Sequence, residues 1–301
     1  MTGSSPIIHQ SFSHGTIPKK GRTNMDSICS IITEQLQFGY SLSQEANPTH
    51  QLHYHSIYEI YYFIEGDVDY LVEGKLYHPT PHSLILLSPH VFHGVKVNSD
   101  QPYRRFTLHF HPDLLDAQRR ALLLSAFPGQ EKYSRKEVYY ENIGKIQLHS
   151  FFEALLLLET QPETIMLQLL PSYIEAILAQ LTLLCRTHSP AEVEMAASRT
   201  ITEIISYLND NLADDITLDQ LAQHFCISKH YLNRAFKKAA GTTVFDYLIH
   251  KRVIHARQLI INGATASEAA LLSGFRDYSV FYRAYRKHIG HSPIEDRSLT
   301  R

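Results

Sequence analysis

One stretch near the C-terminal end of the chain is written twice, and that duplication constrains its fold more than any other feature. Thr217–Phe236 and Thr265–Tyr285 superpose when Ala222 is set on Ala270, an offset of 48 residues. Each copy opens on a capping box, Thr217 with Gln220 and Thr265 with Glu268, which satisfies the free amides of a helix start. A short helix carrying a small residue follows, then a sharp turn, a new cap at Ser228 or Asp277, and a second helix. That order is a helix-turn-helix, whose second helix can enter the DNA major groove. The two units are expected at 217–238 and 265–287.

Between them, Phe245, Leu248, Ile249, Val253, Ala256, Leu259 and Ile260 trace one apolar helix face. A helix of ~16 residues spans roughly 24 Å. Such a rod can hold two reading helices about one duplex turn, ~34 Å, apart. Upstream, Ile201, Ile204, Ile205, Leu208 and Leu212 form a further helical stripe. The net charge of −2 argues against a nucleic-acid binder until it is divided along the chain. From Thr217 to His291 eleven Lys and Arg face four Asp and Glu, a net of +7, which leaves −9 on the remainder. A basic module on an acidic body is the pattern expected of local phosphate contact.

Helical periodicity decides which side chains the reading helices present. In the first unit Leu232, Ala235 and Phe236 turn inward, leaving Lys229, His230, Asn233, Arg234 and Lys237 outward. Asn and Arg bond adenine and guanine edges in a bidentate manner, so His230, Asn233 and Arg234 are assigned to bases. Lys229, Lys237 and Lys238 are assigned to phosphates. In the second unit Phe281, Ala284 and Tyr285 turn inward, which exposes Arg276, Tyr278, Ser279, Tyr282 and Arg283. A single basic helix face is ordinarily just solvated; two equivalent faces on duplicated motifs point to a duplex.

Residues 198–297 resemble the two-motif DNA-binding domain of the AraC/XylS family of bacterial transcription regulators. The resemblance rests on Gly274-Phe275, then Phe281-Tyr-Arg283-Ala-Tyr285-Arg-Lys287, then Gly290-His-Ser292-Pro293. It implies major-groove contacts at Asn233, Arg234 and Arg283. It also implies a sequence-specific regulator, an activator in many members, that responds to a sugar or related metabolite. The partners implied are promoter or operator DNA, RNA polymerase for an activator, and a second copy in a homodimer. Three positions depart from the family pattern. Cys226 stands where the first turn often has Gly, which implies a turn with no need of positive φ. Ser273 takes a usually apolar site, and Asp296 replaces a Tyr, which implies poor packing of the last helix.

The N-terminal half reads differently. Residues 1–35 are polar and are expected to form a flexible arm. Over 36–137 short β-rich runs follow one another, among them Tyr58–Ile64, Asp67–Val72, Ser83–Leu87, Phe92–Val97 and Arg104–Phe110. Short strands without helical periodicity point to a barrel or sandwich. Both parities of Tyr58–Ile64 are apolar, so alternation does not say which face is inside. From Val138 to His188 the period becomes helical (Ile143, Ile146, Phe151, Leu155, Leu158, then Ile165–Cys185), a hairpin turning at Gln161-Pro162. Pro171 is expected to kink its second helix or shift its start. The surplus of leucine suits dimerisation as well as packing on the barrel. A linker is expected at 189–197 and the DNA-binding domain at 198–301.

Nine of the nineteen histidines fall between His50 and His111. His53, His55 and Glu59 share one parity, so on a strand their side chains point to one face, and His93 begins a later strand. Three imidazoles and a carboxylate suit a divalent transition metal. The spacing resembles the first cupin motif, and Pro81-His82-Ser83 through His93 resembles a degraded second one, with His82 in place of Gly. Two readings follow: a metal-dependent cupin enzyme fused to a DNA-binding tail, or a sensor barrel with an effector pocket at His53, His55, Glu59 and His93. No second carboxylate or Lys is placed as a general base, so no catalytic residue is assigned and the sensor is preferred. No cofactor is expected; a divalent transition metal on those four residues is the alternative.

Cys29, Cys185 and Cys226 are odd in number and far apart, which fits reduced thiols in a cytoplasm. No stretch resembles a signal peptide, and no apolar run reaches the ~18 residues of a membrane span. The fold class expected is multidomain: an all-β cupin-like barrel with a helical hairpin, then an all-α double helix-turn-helix domain.

Overall fold

The computed structural model describes residues 25–47, 52–129, 138–141, 148–187, 199–240 and 242–298. The N-terminal half is built of antiparallel strands: β1 (Met25–Ile32), β2 (Leu36–Ser43), β3 (Tyr58–Glu65), β4 (Val68–Val72), β5 (Lys75–Tyr77), β6 (Leu84–Leu87), β7 (His93–Val97), β8 (Tyr103–Phe110) and β9 (Tyr139–Tyr140). They form two sheets, ordered β1-β2-β8-β3-β6-β9 and β5-β4-β7. Among the described residues these two sheets face each other without closing into one continuous barrel.

The doubly apolar β3 finds its explanation here. Ile60 and Tyr62 join Phe38, Phe106 and Leu108 in one core, while Tyr61 and Phe63 join Val68, Tyr70 and Val97 of the smaller sheet in another. β3 is central and covered on both faces, so neither parity can be polar. Helices α2 (His149–Glu159) and α3 (Glu163–Thr187), joined by a three-residue connection, cover the outer face. Phe152 stacks on Phe38 and Phe106, with ring centroids 6.4 and 5.3 Å apart. A short α1 (Arg120–Leu124) packs against α3.

Two expectations change. The arm is not free throughout, since Met25–Ile32 pairs with β2 and Ile31 is buried opposite Phe38. A polar edge strand is held by backbone hydrogen bonds, which composition does not report. Residues 1–24 and the expected linker lie outside the described residues. The hairpin does not begin at Val138, because Tyr139–Tyr140 extends the large sheet beside β6 and α2 starts at His149. Ile143 and Ile146 lie outside the described residues. Pro171 lies inside α3, which starts eight residues earlier at Glu163, so the proline does not set the helix start. By length and composition alone, Glu163–Arg186 is apolar enough to cross a membrane. Much of that hydropathy is committed to the core, where Leu170, Ile174, Ile177, Leu178 and Leu181 are buried.

The C-terminal half contains α4 (Arg199–Asp210), α5 (Leu218–His224), α6 (Lys229–Ala240), α7 (Val244–Ile261), α8 (Ala266–Leu272), α9 (Tyr278–Ile289) and α10 (Pro293–Ser298). It has two apolar cores, and α7 belongs to both. Its first half gives Val244, Tyr247 and Leu248 to a core with Ile204, Leu208, Leu232 and Phe236. Its second half gives Val253, Ala256 and Ile260 to a core with Ala269, Phe281 and Tyr285. The bridging helix is therefore gripped at both ends by packing.

Candidate DNA-binding face and histidine pocket

Both helix-turn-helix units start on complete capping boxes, Thr217 with Gln220 and Thr265 with Glu268. The offset of 48 holds through the first helix of each unit, α5 against α8, and becomes 49 for α6 against α9. The second turn is one residue longer. Lys229, His230, Asn233, Arg234 and Lys237 thus correspond to Tyr278, Ser279, Tyr282, Arg283 and Arg286. All ten side chains expected to read DNA are exposed. Lys229 is tied to Asp219 at 2.8 Å and Arg276 to Asp215 at 2.7 Å, so both are shared with acids of the same domain.

The turns correct two expectations. Cys226 has φ 54°, the left-handed conformation that its partner Gly274 adopts at φ 83°. The first turn does require positive φ, and Cys226 meets it with an exposed side chain. At Gly274 an added Cβ would lie 2.8 Å from the Leu212 carbonyl oxygen and 3.0 Å from Ala213 Cα. Asp296 does not loosen the last helix either. It is fully buried, bonded to Arg257 at 3.1 and 3.2 Å, and accepts the Tyr285 hydroxyl. Ser273, also buried, has its hydroxyl 3.2 Å from His255 Nδ1.

In the β domain His53, His55, Glu59 and His93 come together, though not by the route expected. His53 and His55 precede β3 on an irregular segment, where His53 bridges backbone to backbone with His93. Shared strand parity is therefore not what aligns them with Glu59. Sequence reasoning also missed His109. It lies on β8 directly opposite Glu59 on β3, a pairing set by strand register that no local pattern reports. The Nε2 atoms of His55, His93 and His109 lie 2.8, 3.0 and 3.1 Å from one atom, Glu59 Oε2. Burial alone would raise the Glu59 carboxyl, but the His109 and His93 imidazoles and hydrogen bonds from His109 and His55 hold it well below the usual range. His82, at the position expected to be glycine in the second motif, takes φ 63°.

The reverse side of this pocket meets the DNA-binding half. Tyr54, between His53 and His55, packs in a tilted contact on His250 of α7 with ring centroids 3.7 Å apart, and its hydroxyl is 3.0 Å from His288 Nδ1 of α9. Phe92, beside His93, packs on Tyr247 and His250 at 4.7 and 4.9 Å. Glu73 accepts from Lys251 (2.9 Å), the Tyr247 hydroxyl (2.7 Å) and Asn209 (3.2 Å). Burial opposes its charge, but the Lys251 ammonium and hydrogen bonds from Lys251, the Phe92 backbone amide and the Tyr247 hydroxyl keep its carboxyl below the ordinary range. His90 is 3.3 Å from Arg257; burial first, then the Arg257 charge, pushes it down to about 3.

These features define a two-domain protein: a β domain with a buried histidine–carboxylate cluster, docked on a duplicated helix-turn-helix domain. The comparisons agree with that division. Residues 38–181 match the AraC-like ligand binding domain and residues 221–298 match the Helix-turn-helix domain. The chain belongs to the AraC family. Similar relatives include the HTH-type transcriptional regulator ArgR of Pseudomonas aeruginosa, 30% identical over 34% of this chain and 31% of its own length. The HTH-type transcriptional activator RhaS of Escherichia coli is 33% identical over 41% of this chain and 45% of its own. The chain thus matches less than half the length of these relatives. A probable AraC family transcriptional regulator from Rhodopseudomonas palustris is similar at 29% identity over 35% of this chain and 99% of its own, with a TM-score of 0.33.

Proposed function

We propose that this protein is a sequence-specific, DNA-binding transcription regulator gated by a small molecule held in the β domain. The observation that carries the reading is the pair of exposed, equivalent faces on α6 and α9, joined through α7. In this reading α6 and α9 enter successive major grooves, with Asn233, Arg234 and Arg283 at base edges and Lys237 at phosphates. His230, Ser279, Tyr282 and Tyr278 border the same grooves, and Lys229 and Arg276 trade their intramolecular acids for phosphates.

The effector would occupy the pocket of His53, His55, Glu59, His93 and His109, and a sugar or related metabolite is what the family resemblance implies. To act, it must bind one arrangement of the two halves more tightly than another. Homodimerisation is supported by Leu157, Leu167, Leu169 and Leu183, which α2 and α3 leave exposed. Cytoplasmic residence and activation through RNA polymerase complete the reading.

The test is selection of bound sites from random duplexes with the full chain, followed by footprinting. Recovery of one sequence with two protected patches a helical turn apart is expected. Recovery of no preferred sequence would overturn the reading.

A further inference from the structure

The two helix-turn-helix units also meet away from the axis of α7. Residues 211–215, between α4 and α5, are anchored to the first unit, since Leu208 and Ile216 are buried in its core and Leu212 packs against it. Arg252 of α7 grips this segment through two nitrogens of its guanidinium. Nε donates to the Leu212 carbonyl oxygen at 2.7 Å and Nη2 to that of Asp214 at 2.6 Å. Gly274, in the turn of the second unit, closes on the same spot. A Cβ there would meet the Leu212 carbonyl oxygen at 2.8 Å and Arg252 Nε at 2.9 Å. Two residues on, Arg276 pairs with Asp215 at 2.7 Å.

Arg252 stands where α7 passes from one core to the other, with Leu248 in the first and Val253 in the second. A helix shared by two cores sets the distance between them, yet long helices bend. A contact off the helix axis removes that freedom. The planar guanidinium fork suits the task, because it holds two carbonyls in one fixed geometry. The Arg276–Asp215 pair is well exposed on both sides, so it adds little and leaves Arg276 free to move to a phosphate. On a duplex, one base pair is a step of about 3.4 Å and a turn of roughly 34°. An operator with its two subsites one pair too near or too far asks α9 to swing by that much relative to α6. The grip of Arg252 on 211–215 opposes the swing.

We propose that Arg252, clasping residues 211–215 against the Gly274 turn, is the positioning residue that fixes the spacing between the two DNA subsites this protein accepts. The inference rests on the reading of the protein as a sequence-specific DNA binder. Arg252 contacts no base in this scheme and acts through the angle between α6 and α9. Asn233, Arg234 and Arg283 then read which bases are present, and Arg252 sets how far apart they must lie.

The full chain is offered its selected operator and versions with one base pair inserted or deleted between the subsites. The unaltered chain is expected to bind either altered spacing about 30-fold or more weakly. In Arg252→Gln the correct operator should be bound within about 3-fold of the unaltered chain, while the spacing penalty shrinks to about 5-fold or less. Arg252→Lys, which keeps the charge without the fork, should fall between them, and thermal melts check that both variants fold. An unchanged penalty in the folded variants would overturn the proposal. So would equal loss at every spacing, the mark of a merely structural arginine. A second measurement needs no DNA. Nitroxide labels on Cys226 and at position 279 of a Cys29→Ser/Ser279→Cys chain, both exposed, report the distance between the units by pulsed electron resonance. One narrow distance that broadens on Arg252→Gln is expected, and a broad distribution with Arg252 intact would overturn the clasp. A narrow distance in a chain that selects no DNA sequence would instead sink the regulator reading and leave the clasp standing.

Discussion

The two helix-turn-helix units share a plan and differ in how each is secured. The first is held by apolar contacts, with Leu232 and Phe236 against Leu208 and Tyr247, and its turn tolerates an exposed cysteine at positive φ. The second has a longer turn wedged against Leu212 and Ala213, and a buried Asp296 that ties Tyr285 to Arg257. Their reading faces diverge as well: Lys229, His230 and Asn233 correspond to Tyr278, Ser279 and Tyr282, and only Arg234 and Arg283 coincide. Duplicated motifs therefore need not contribute equally to stability or to recognition.

The sharpest break in this comparison is Asp296→Ala. It leaves Arg257 and the Tyr285 hydroxyl facing each other without their acceptor, and a loss of about 3 kcal/mol is expected in denaturant melts of the full chain. Gly274→Ala should follow at roughly 2–3 kcal/mol, from left-handed strain plus the overlap with the Leu212 carbonyl. A melt unchanged by Gly274→Ala would show that the second turn is not wedged.

Recognition is separated by Asn233→Ala and Arg283→Ala. Each should lose about 1–3 kcal/mol of discrimination at its own base positions, read by competition among operator variants. Equal loss over all sequences would reassign that residue to a phosphate.

The contact between halves is expected to weaken in acid. His90 sits at about 3 in the folded chain against an ordinary 6.5, and His250 and His288 are lowered too, each chiefly by burial. A depressed imidazole stabilises the docked state fully above its ordinary value, and that contribution fades as pH falls through it. For His90 alone the loss is about 1 kcal/mol near ~pH 6. A fall in the hydrogen-exchange protection factors of α7 on acidification, taken relative to intrinsic rates at each pH, would register it. The smallest effect is a gain: Cys226→Gly removes left-handed strain and should stabilise the chain by about 1 kcal/mol, a shift that Gly274 already enjoys.

The halves were also unequally legible. In the C-terminal half the caps at Thr217, Thr265 and Asp277 and the apolar repeats of α6, α7 and α9 are local signals, complete within a turn or two of helix. Even there, the added residue in the second turn shows only when α9 is set against α6. In the N-terminal half the strand runs were readable, whereas their partners were not.

Helix starts, the amphipathic stripes, the outward positions of the reading helices and the suspicion of a histidine pocket all came from residues close together in the chain. Tertiary structure alone brought His109 opposite Glu59, gave β3 two buried faces, made Asp296 a buried acceptor, and set Tyr54 against α7. Helices encode their pattern over neighbouring residues, so sequence reports them directly. Strand register and domain docking join residues tens to more than two hundred positions apart, and only the packed chain reveals which of them meet.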